Sequence, residues 1–311
     1  MENLLHKPVL INEVISSLNI RDELSYVDAT FGFGGYTKGI LKKAKCKVIS
    51  IDQDPDVKPF ARDLKKEYTN RFDFFLTKFS NLKDVIEKKG LKIISGGVVA
   101  DLGLSSMQIN NSKRGFSFMR DGPLDMTMSQ TGKSAEKVIN TFKEKELSDI
   151  FWKYGEEKKS RQVAKKIVKA RKEKAISSTF ELVEIIKKVI KKNNSKIHPA
   201  TKVFQALRIF VNNELFELEK LISNAEKLML PGSRIAIVSF HSLEDRIVKF
   251  SFNKLSGKTS NLNRHLPTNT VKNQIKFKTV YKKIIRPRND EILENKKARS
   301  ARLRVLERKV I

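Results

Sequence analysis

Residues 26–37 read Tyr-Val-Asp-Ala-Thr-Phe-Gly-Phe-Gly-Gly-Tyr-Thr. The apolar run 26–30 predicts a strand, the glycines of 31–36 predict a tight loop, and 37–43 has the pattern of a helix. Strand, glycine loop and helix in this order are typical of the nucleotide-binding turn of a Rossmann-type fold, where missing Cβ atoms let a ligand contact the backbone. A tight turn without a ligand is the alternative interpretation.

Outward from this turn, the pattern predicts alternating strands and helices and then a long helical stretch. An N-terminal helix is predicted at 12–18, and further apolar runs that predict strands lie at 47–51, 72–76 and 97–100. Nearly everything from 134 to 230 has a helical pattern, with breaks at Gly155, 177–178 and 193–199. Strand-like runs return at 234–240, 277–285 and 301–307.

The βαβ rhythm of the first hundred residues is typical of a parallel sheet. We therefore predict an α/β fold: a doubly wound, Rossmann-like sheet interrupted after its fourth strand by a helical insertion. The main domain is predicted to comprise residues 1–106 and 206–311, and the inserted helical domain residues 107–205. An insertion of about a hundred residues is a common domain size.

The bulk composition limits the class of protein. The net charge of +28 and the pI near 10.0 point to a polyanionic partner such as nucleic acid, although a lysine-rich coding bias would give the same total. Placement favours binding, because residues 272–309 hold 14 basic and four acidic side chains. No apolar run approaches the roughly 18 to 20 residues of a membrane span, and no export leader is recognisable, so we expect a cytoplasmic protein. A single cysteine, Cys46, excludes an intrachain disulfide, and we expect no metal.

The charge of the nucleotide site indicates which ligand it takes. The dinucleotide fingerprint G-x-G-x-x-G is absent, because Thr37 stands where the third glycine belongs. Three predicted strand ends carry the acids Asp28, Asp52 and Asp101, and Asp52 lies 18 residues after Gly34, where a carboxylate binds ribose hydroxyls. Carboxylates repel phosphates but suit S-adenosylmethionine, which carries a sulfonium and an ammonium group. For each acid singly, an ordinary surface or capping role is the alternative.

Many blocks of the chain resemble one family, the bacterial small-subunit rRNA cytosine methyltransferases called MraW or RsmH. The matching blocks run almost from end to end: His6-x-Pro8-Val9-Leu10, Asp28-Ala29-Thr30-Phe31-Gly32-x-Gly34-Gly35, Asp52-Gln53-Asp54-Pro55, Asp101-Leu102-Gly103-Leu104-Ser105-Ser106-x-Gln108, Arg114-Gly115-Phe116-Ser117-Phe118, Asp121-Gly122-Pro123-Leu124-Asp125-Met126, Tyr154-Gly155-Glu156-Glu157, His198-Pro199-Ala200-Thr201, Phe204-Gln205-Ala206-Leu207-Arg208-Ile209, Ser239-Phe240-His241-Ser242-Leu243-Glu244-Asp245-Arg246 and Ala298-Arg299-Ser300-Ala301-x-Leu303-Arg304.

This resemblance implies a class I S-adenosylmethionine-dependent methyltransferase fold with an inserted helical domain. It implies N(4)-methylation of a cytosine in the decoding region of 16S rRNA, with the small ribosomal subunit as partner. The family's cofactor contacts fall on Gly34, Gly35, Tyr36, Asp52, Phe79, Asp101 and Gln108. The chain departs from the family pattern at three positions: Tyr36 where histidine is common, Met107 where proline is common, and Thr127 where arginine is common.

Candidate catalytic and RNA-contacting residues follow from the same blocks. Asp101 is the candidate acceptor for a hydrogen of the target amino group. The alternative is that it serves only the ammonium group of the cofactor, since no Pro-Pro-Tyr follows it. The candidate substrate contacts are Arg114, Phe116, Phe118, His241, Arg299, Arg302 and Arg304. Core packing is the stronger alternative for the two phenylalanines, and a structural role is an equal alternative for His241.

Two rival functions remain at this point. One is a non-catalytic RNA-binding ribosome assembly factor on a methyltransferase scaffold, and the other is a methyltransferase of DNA or protein. The retained glycines and acids argue against the first, and the missing Pro-Pro-Tyr argues against the common amino-methylating DNA enzymes. Left open are homodimer formation, naked rRNA against assembled subunit as substrate, and the group that accepts the proton.

Overall fold

The computed structural model describes residues 8–191, 198–258 and 275–310. The chain divides into two compact units: Met1–Gly103 with Leu215–Ile311, and Leu104–Glu214. The junctions predicted after residues 106 and 205 differ from these. The second predicted junction falls inside the helix Thr201–Asn212. A helix is a single hydrogen-bonded element, so the unit extends past its end.

The first unit is built on a seven-stranded sheet with the strand order β3-β2-β1-β4-β5-β7-β6. Its strands are β1 Ser25–Asp28, β2 Lys47–Asp52, β3 Phe72–Leu76, β4 Gly97–Asp101, β5 Arg234–Ser239, β6 Phe277–Thr279 and β7 Arg302–Arg308. The first five strands are parallel, and β7 runs antiparallel to both of its neighbours. The order reverses between β1 and β4, so the carboxyl ends of these two strands flank the crevice in which such sheets bind ligands.

The described residues form thirteen α-helices. In chain order they are α1 Ile11–Ser17, α2 Gly35–Lys43, α3 Lys58–Glu67, α4 Leu82–Lys88, α5 Ser106–Asn110, α6 Ala135–Thr141, α7 Glu144–Gly155, α8 Ser160–Glu173, α9 Thr179–Lys187, α10 Thr201–Asn212, α11 Glu214–Leu228, α12 Ser242–Leu255 and α13 Asn289–Glu294. None of these described helices is both long enough and apolar enough to cross a membrane.

One face of the sheet is covered by α4, α11 and α12. Every second residue of the parallel strands enters this core, as Ile49 and Ile51 do in β2 and Ile235 and Ile237 do in β5. The strands β4 and β5 are buried along almost their whole length, which is the pattern of a parallel sheet covered on both faces. The predicted doubly wound α/β fold is confirmed.

At the C-terminal edge of the sheet, β6 is shorter than the predicted strand. The run 277–285 was expected to be continuous, but β6 ends at Thr279, and only an isolated bridge forms later, between Ile285 and Leu303. Thr279 pairs with Leu306, so the five residues 280–284 lie between the two pairs opposite only two residues of β7, 304 and 305. Val280 still donates to the Val305 carbonyl at 3.1 Å, and the rest of this stretch bulges out of the ladder, which hydrophobic alternation does not reveal.

The second unit is helical and has its own core, which includes Leu124, Phe151, Ile167 and Leu207. Gly155 ends α7 where a break was predicted, but its small size also serves packing. A Cβ atom at this position would lie 2.4 Å from the carbonyl oxygen of Lys202. The close approach of α10 to α7 therefore needs glycine.

Candidate functional site

The glycine loop joins β1 to α2. Gly32 and Gly34 have φ angles of +53° and +77°, in the left-handed region that glycine adopts without strain. A Cβ atom on Gly34 would lie 2.9 Å from the ring of Phe31, whereas one on Gly32 would meet nothing within 4 Å. The fold therefore requires Gly34 for its own packing, while the space beside Gly32 is open to a ligand.

Asp52 ends β2 beside this loop. Its Oδ2 accepts a hydrogen bond from the Gly32 amide at 2.8 Å, and its Oδ1 accepts one from the Asp54 amide at 2.9 Å. Burial raises the pKa of Asp52 to about 6. Each carboxylate oxygen has two lone pairs, so the side chain can fix the loop and still accept hydrogen bonds from ribose hydroxyls.

Asp28 ends β1, but its carboxylate is fully buried. Its oxygens accept hydrogen bonds from the Thr37 hydroxyl at 2.7 Å and from the Thr30 amide at 3.2 Å. Burial raises its pKa to about 6. This acid therefore fixes the start of α2, and it contributes to the site through its charge and not through contact.

Asp101 ends β4, and its amide donates to the Thr30 hydroxyl at 2.7 Å. Its Oδ1 is buried and has no hydrogen-bond partner among the described residues. Burial raises the pKa of Asp101 well above its ordinary value, and nearby carboxylates raise it further: Asp28, Glu244 and Glu291. A buried oxygen without a donor is costly. A cationic or hydrogen-bond-donating ligand would remove that cost.

Tyr36 and Phe79 lie in the same unit as the glycine loop. Tyr36 is buried, and its hydroxyl donates to the carbonyl oxygen of Val9, so its side chain serves packing and leaves only its backbone for a ligand. Phe79 is half-buried in a short turn between β3 and α4. Two side chains of α11 fix this turn: Glu217 accepts from the Ser80 amide at 3.3 Å, and Asn224 donates to the Ser80 carbonyl at 2.8 Å.

Gln108 lies in the helical unit and forms a capping box with Ser105 at the start of α5. The Gln108 side chain accepts from the Ser105 amide at 3.0 Å, and the Ser105 hydroxyl accepts from the Gln108 amide at 3.2 Å. The pattern Ser-x-x-Gln is a sequence signal for this cap. The assignment of Gln108 to the cofactor stays a prediction.

Arg114, Phe116 and Phe118 also lie in the helical unit. The Arg114 side chain is buried and donates to the carbonyl oxygens of Thr127 and Met128, both at 2.9 Å. Phe116 belongs to the core of the unit, and Phe118 stacks on His198 with ring centroids 4.6 Å apart. These are contacts of structural residues, and direct contact of Arg114, Phe116 and Phe118 with RNA stays a prediction.

His241 caps α12. Its Nδ1 accepts from the Glu244 amide at 3.4 Å, and its Nε2 lies 3.0 Å from Glu244 Oε1. Glu244 in turn accepts from the Phe240 amide at 2.8 Å. These contacts support a structural role for His241 as the cap of α12. Its contact with substrate stays a prediction.

The predicted arginines of the C-terminal segment fall into two kinds. Arg302 and Arg304 both form ion pairs with Asp245, at 3.1 and 2.7 Å. Arg299 is exposed. Of the three, Arg299 is therefore the one whose charge is most available to RNA phosphates.

The comparisons with known proteins now give the family. The sequence profile of the MraW methylase family matches residues 3–309. The chain belongs to the MraW methylase family. A protein named Ribosomal RNA small subunit methyltransferase H from Ehrlichia canis (strain Jake) is 46% identical over 304 residues, 97% of this chain and 99% of that protein. A protein of the same name from Rickettsia canadensis (strain McKiel) is 46% identical over 300 residues, 96% of each chain.

Among solved structures, an rRNA methylase from Streptococcus thermophilus aligns with a TM-score of 0.44 and 12% identity, over 99% of each chain. Membership of the MraW methylase family makes methyl transfer the reaction class. The predicted class I methyltransferase fold with a helical insertion is confirmed by that membership and by the seven-stranded α/β sheet.

Two functional features of this methylase were missed in the sequence. Asp245, the partner of Arg302 and Arg304, stands 57 and 59 residues before them and has no local signal. Glu291 accepts a hydrogen bond from the Leu10 amide at 2.7 Å across 281 residues of chain. The capping box of Gln108, by contrast, was visible as Ser-x-x-Gln.

Proposed function

We propose that this MraW methylase transfers a methyl group from S-adenosylmethionine to N4 of a cytosine in the decoding region of 16S rRNA, in the cytoplasm. Relatives that are 46% identical over nearly their whole length are named as small-subunit rRNA methyltransferases, which supports the class of substrate. The base and its position rest on the family resemblance. The partner is the small ribosomal subunit or its RNA.

The observation that carries the choice of methyl donor is the buried Asp101 oxygen at the end of β4. This oxygen has no described donor, and Asp28 adds a second negative charge nearby. A pyrophosphate would be repelled here, whereas a ligand with a sulfonium and an ammonium group would be attracted. The residues present therefore fit S-adenosylmethionine.

Each remaining part of the donor has a candidate contact in the first unit. The open space at Gly32 and the backbone of Gly34–Tyr36 would face its methionine portion. Asp52 would accept from the ribose hydroxyls, and the Phe79 ring would lie against adenine. All of these groups sit at the carboxyl ends of strands or directly after them.

When bound, the donor supplies an electrophilic methyl group. The chain must position the cytosine amino nitrogen, whose lone pair is delocalised into the ring, in line with that methyl. Alignment of this kind contributes about 7 to 11 kcal/mol. Asp101 is proposed to accept one amino hydrogen, which turns the nitrogen lone pair toward the methyl and holds the proton that leaves.

An Asp101→Asn variant tests this role. Its single-turnover rate is expected to fall roughly 100-fold, the scale of losing one positioned proton acceptor. The matched control is Asp63→Asn, which changes an exposed acid of α3 and should leave the rate unchanged. A normal rate combined with weaker donor binding would assign Asp101 to the ammonium group and remove it from catalysis.

The substrate is tested with small subunits from a strain that lacks the gene. The purified protein and S-adenosylmethionine are added, the small-subunit RNA is digested, and mass spectrometry locates new methyl groups. One methyl group on N4 of a decoding-region cytosine is expected. A digest that stays unmethylated, or a methyl group on another base, would contradict the proposal.

A further inference from the structure

A short segment before α1, residues 8–10, lies against the glycine loop; we call it the N-terminal strap. A Cβ atom on Gly35 would lie 2.0 Å from Cγ of Pro8, so the loop can hold only glycine where the strap crosses it. The next loop residue, Tyr36, donates its hydroxyl hydrogen to the carbonyl oxygen of Val9. Gly35 and Tyr36, where the loop passes into α2, are therefore both in contact with the strap.

The strap ends in a strained residue. Leu10 has a φ angle of 55° and is fully buried, although the left-handed region costs a leucine about 1 to 2 kcal/mol. Such conformations persist only where the surroundings impose them. The Leu10 carbonyl accepts from the Val14 amide at 2.9 Å, which starts α1. The Leu10 amide donates to Oε1 of Glu291 at 2.7 Å.

Glu291 comes from the far end of the chain, on α13. Its carboxylate is half-buried and close enough to the site to raise the pKa of both Asp101 and Tyr36. Its hydrogen bond is charge-assisted, a class about twice as strong as a neutral pair. Glu294, about one turn further along the same helix, is exposed.

We propose that Glu291 is a positioning residue for the cofactor loop. By holding the Leu10 amide, it keeps the strap seated on Gly35 and Tyr36, and the loop thereby keeps the shape in which its backbone receives the methyl donor. Glu291 does not touch the donor. The inference rests on the proposed function for its ligand, but the contact between strap and loop does not depend on that function.

The experiment compares three variants by calorimetric titration with S-adenosylhomocysteine. Glu291→Ala is expected to weaken binding about tenfold, which corresponds to about 1.4 kcal/mol. Glu291→Gln keeps an oxygen that can accept from Leu10 and should retain most of the affinity. Glu294→Ala is the matched control on the same helix and should bind like the wild type. Affinity for small-subunit RNA should be the same in all three.

A second readout follows the loop without a ligand. Hydrogen exchange of the amides of residues 34–36 should be faster in Glu291→Ala than in the wild type and unchanged in Glu294→Ala. If Glu291→Ala fails to fold, Tyr36→Phe takes its place in this measurement. It removes the hydrogen bond from Tyr36 to the strap and should show the same faster exchange. Equal exchange and equal affinity in Glu291→Ala and wild type would overturn the inference.

The two proposals fail in different ways. A wild-type protein that ignores S-adenosylhomocysteine contradicts the proposed function, while the exchange rates still decide the role of Glu291. A wild-type protein that binds it, together with a Glu291→Ala variant that binds equally well, contradicts the positioning role alone. A loss of affinity in Glu294→Ala as large as in Glu291→Ala would also contradict it.

Discussion

The affinity for S-adenosylmethionine is expected to fall as the pH drops below 6. Burial raises the pKa of Asp52 to about 6, and the pKa of Asp101 is also raised. The donor brings positive charge and hydroxyl groups, which bind a carboxylate better than a carboxylic acid. Binding therefore lowers the pKa of these acids, and protonation competes with the donor.

The size of the effect follows from the pKa of Asp52. An acid with a pKa of about 6 is about one-eleventh ionised at pH 5 and about ten-elevenths ionised at pH 7. A donor that requires the ionised form therefore binds about tenfold less tightly at pH 5, or about 1.4 kcal/mol. Protonation of Asp101, whose pKa burial also raises, opposes donor binding in the same direction.

Equilibrium dialysis with labelled donor between pH 5 and pH 8, at constant ionic strength, measures this dependence. Circular dichroism at each pH verifies that the protein stays folded. An Asp52→Asn variant should bind more weakly at pH 7 and lose part of the pH dependence. A dissociation constant that stays level from pH 7 to pH 5, or tighter binding at pH 5, would show that the donor does not require ionised Asp52.

Three other variants test the packing and charges of the described residues. Gly35→Ala should displace Pro8 and cost roughly 2 kcal/mol of unfolding free energy in urea titrations, since its Cβ would lie 2.0 Å from Pro8 Cγ. The pKa of Asp28 is about 6 when folded, above its unfolded value, so its contribution to stability falls as the pH rises from 4 to 6. Wild type should therefore lose about 2 kcal/mol more than Asp28→Asn between pH 4 and pH 8 in the same titrations. Arg299→Ala should weaken binding to small-subunit RNA and reduce its salt slope by about one in filter-binding assays; an unchanged slope would argue against phosphate contact.

Most of the sheet could be predicted from local pattern. The strand Phe72–Leu76 has its predicted bounds, β2, β4 and β5 differ from prediction by one residue at one end, and β1 begins one residue earlier and ends two residues earlier than predicted. Most residues of β1, β2, β4 and β5 are buried, so these strands appear in the sequence as apolar runs, whereas β3 at the sheet edge is mostly half-buried. The bulge at 280–284 was not predictable, because its cause lies in the register of β7.

The sequence predicted which acids lie at the strand ends, but not which of them is held by hydrogen bonds and which has an oxygen without a described donor. Asp28 and Asp101 both follow an apolar strand, yet one is fixed by Thr37 and the other has an oxygen without a described donor. Local sequence does not distinguish them, since the difference depends on which neighbours fold against each acid. The bond from Leu10 to Glu291 spans 281 residues and lies beyond any periodicity or motif.

The acidic crevice at the ends of β1, β2 and β4 is proposed to bind a cationic, phosphate-free methyl donor. Isothermal titration of the purified protein with S-adenosylmethionine, and separately with nicotinamide adenine dinucleotide, tests it most directly. Saturable binding of one molecule of S-adenosylmethionine is expected, together with no binding of the dinucleotide. Tight binding of the dinucleotide without binding of S-adenosylmethionine would contradict it.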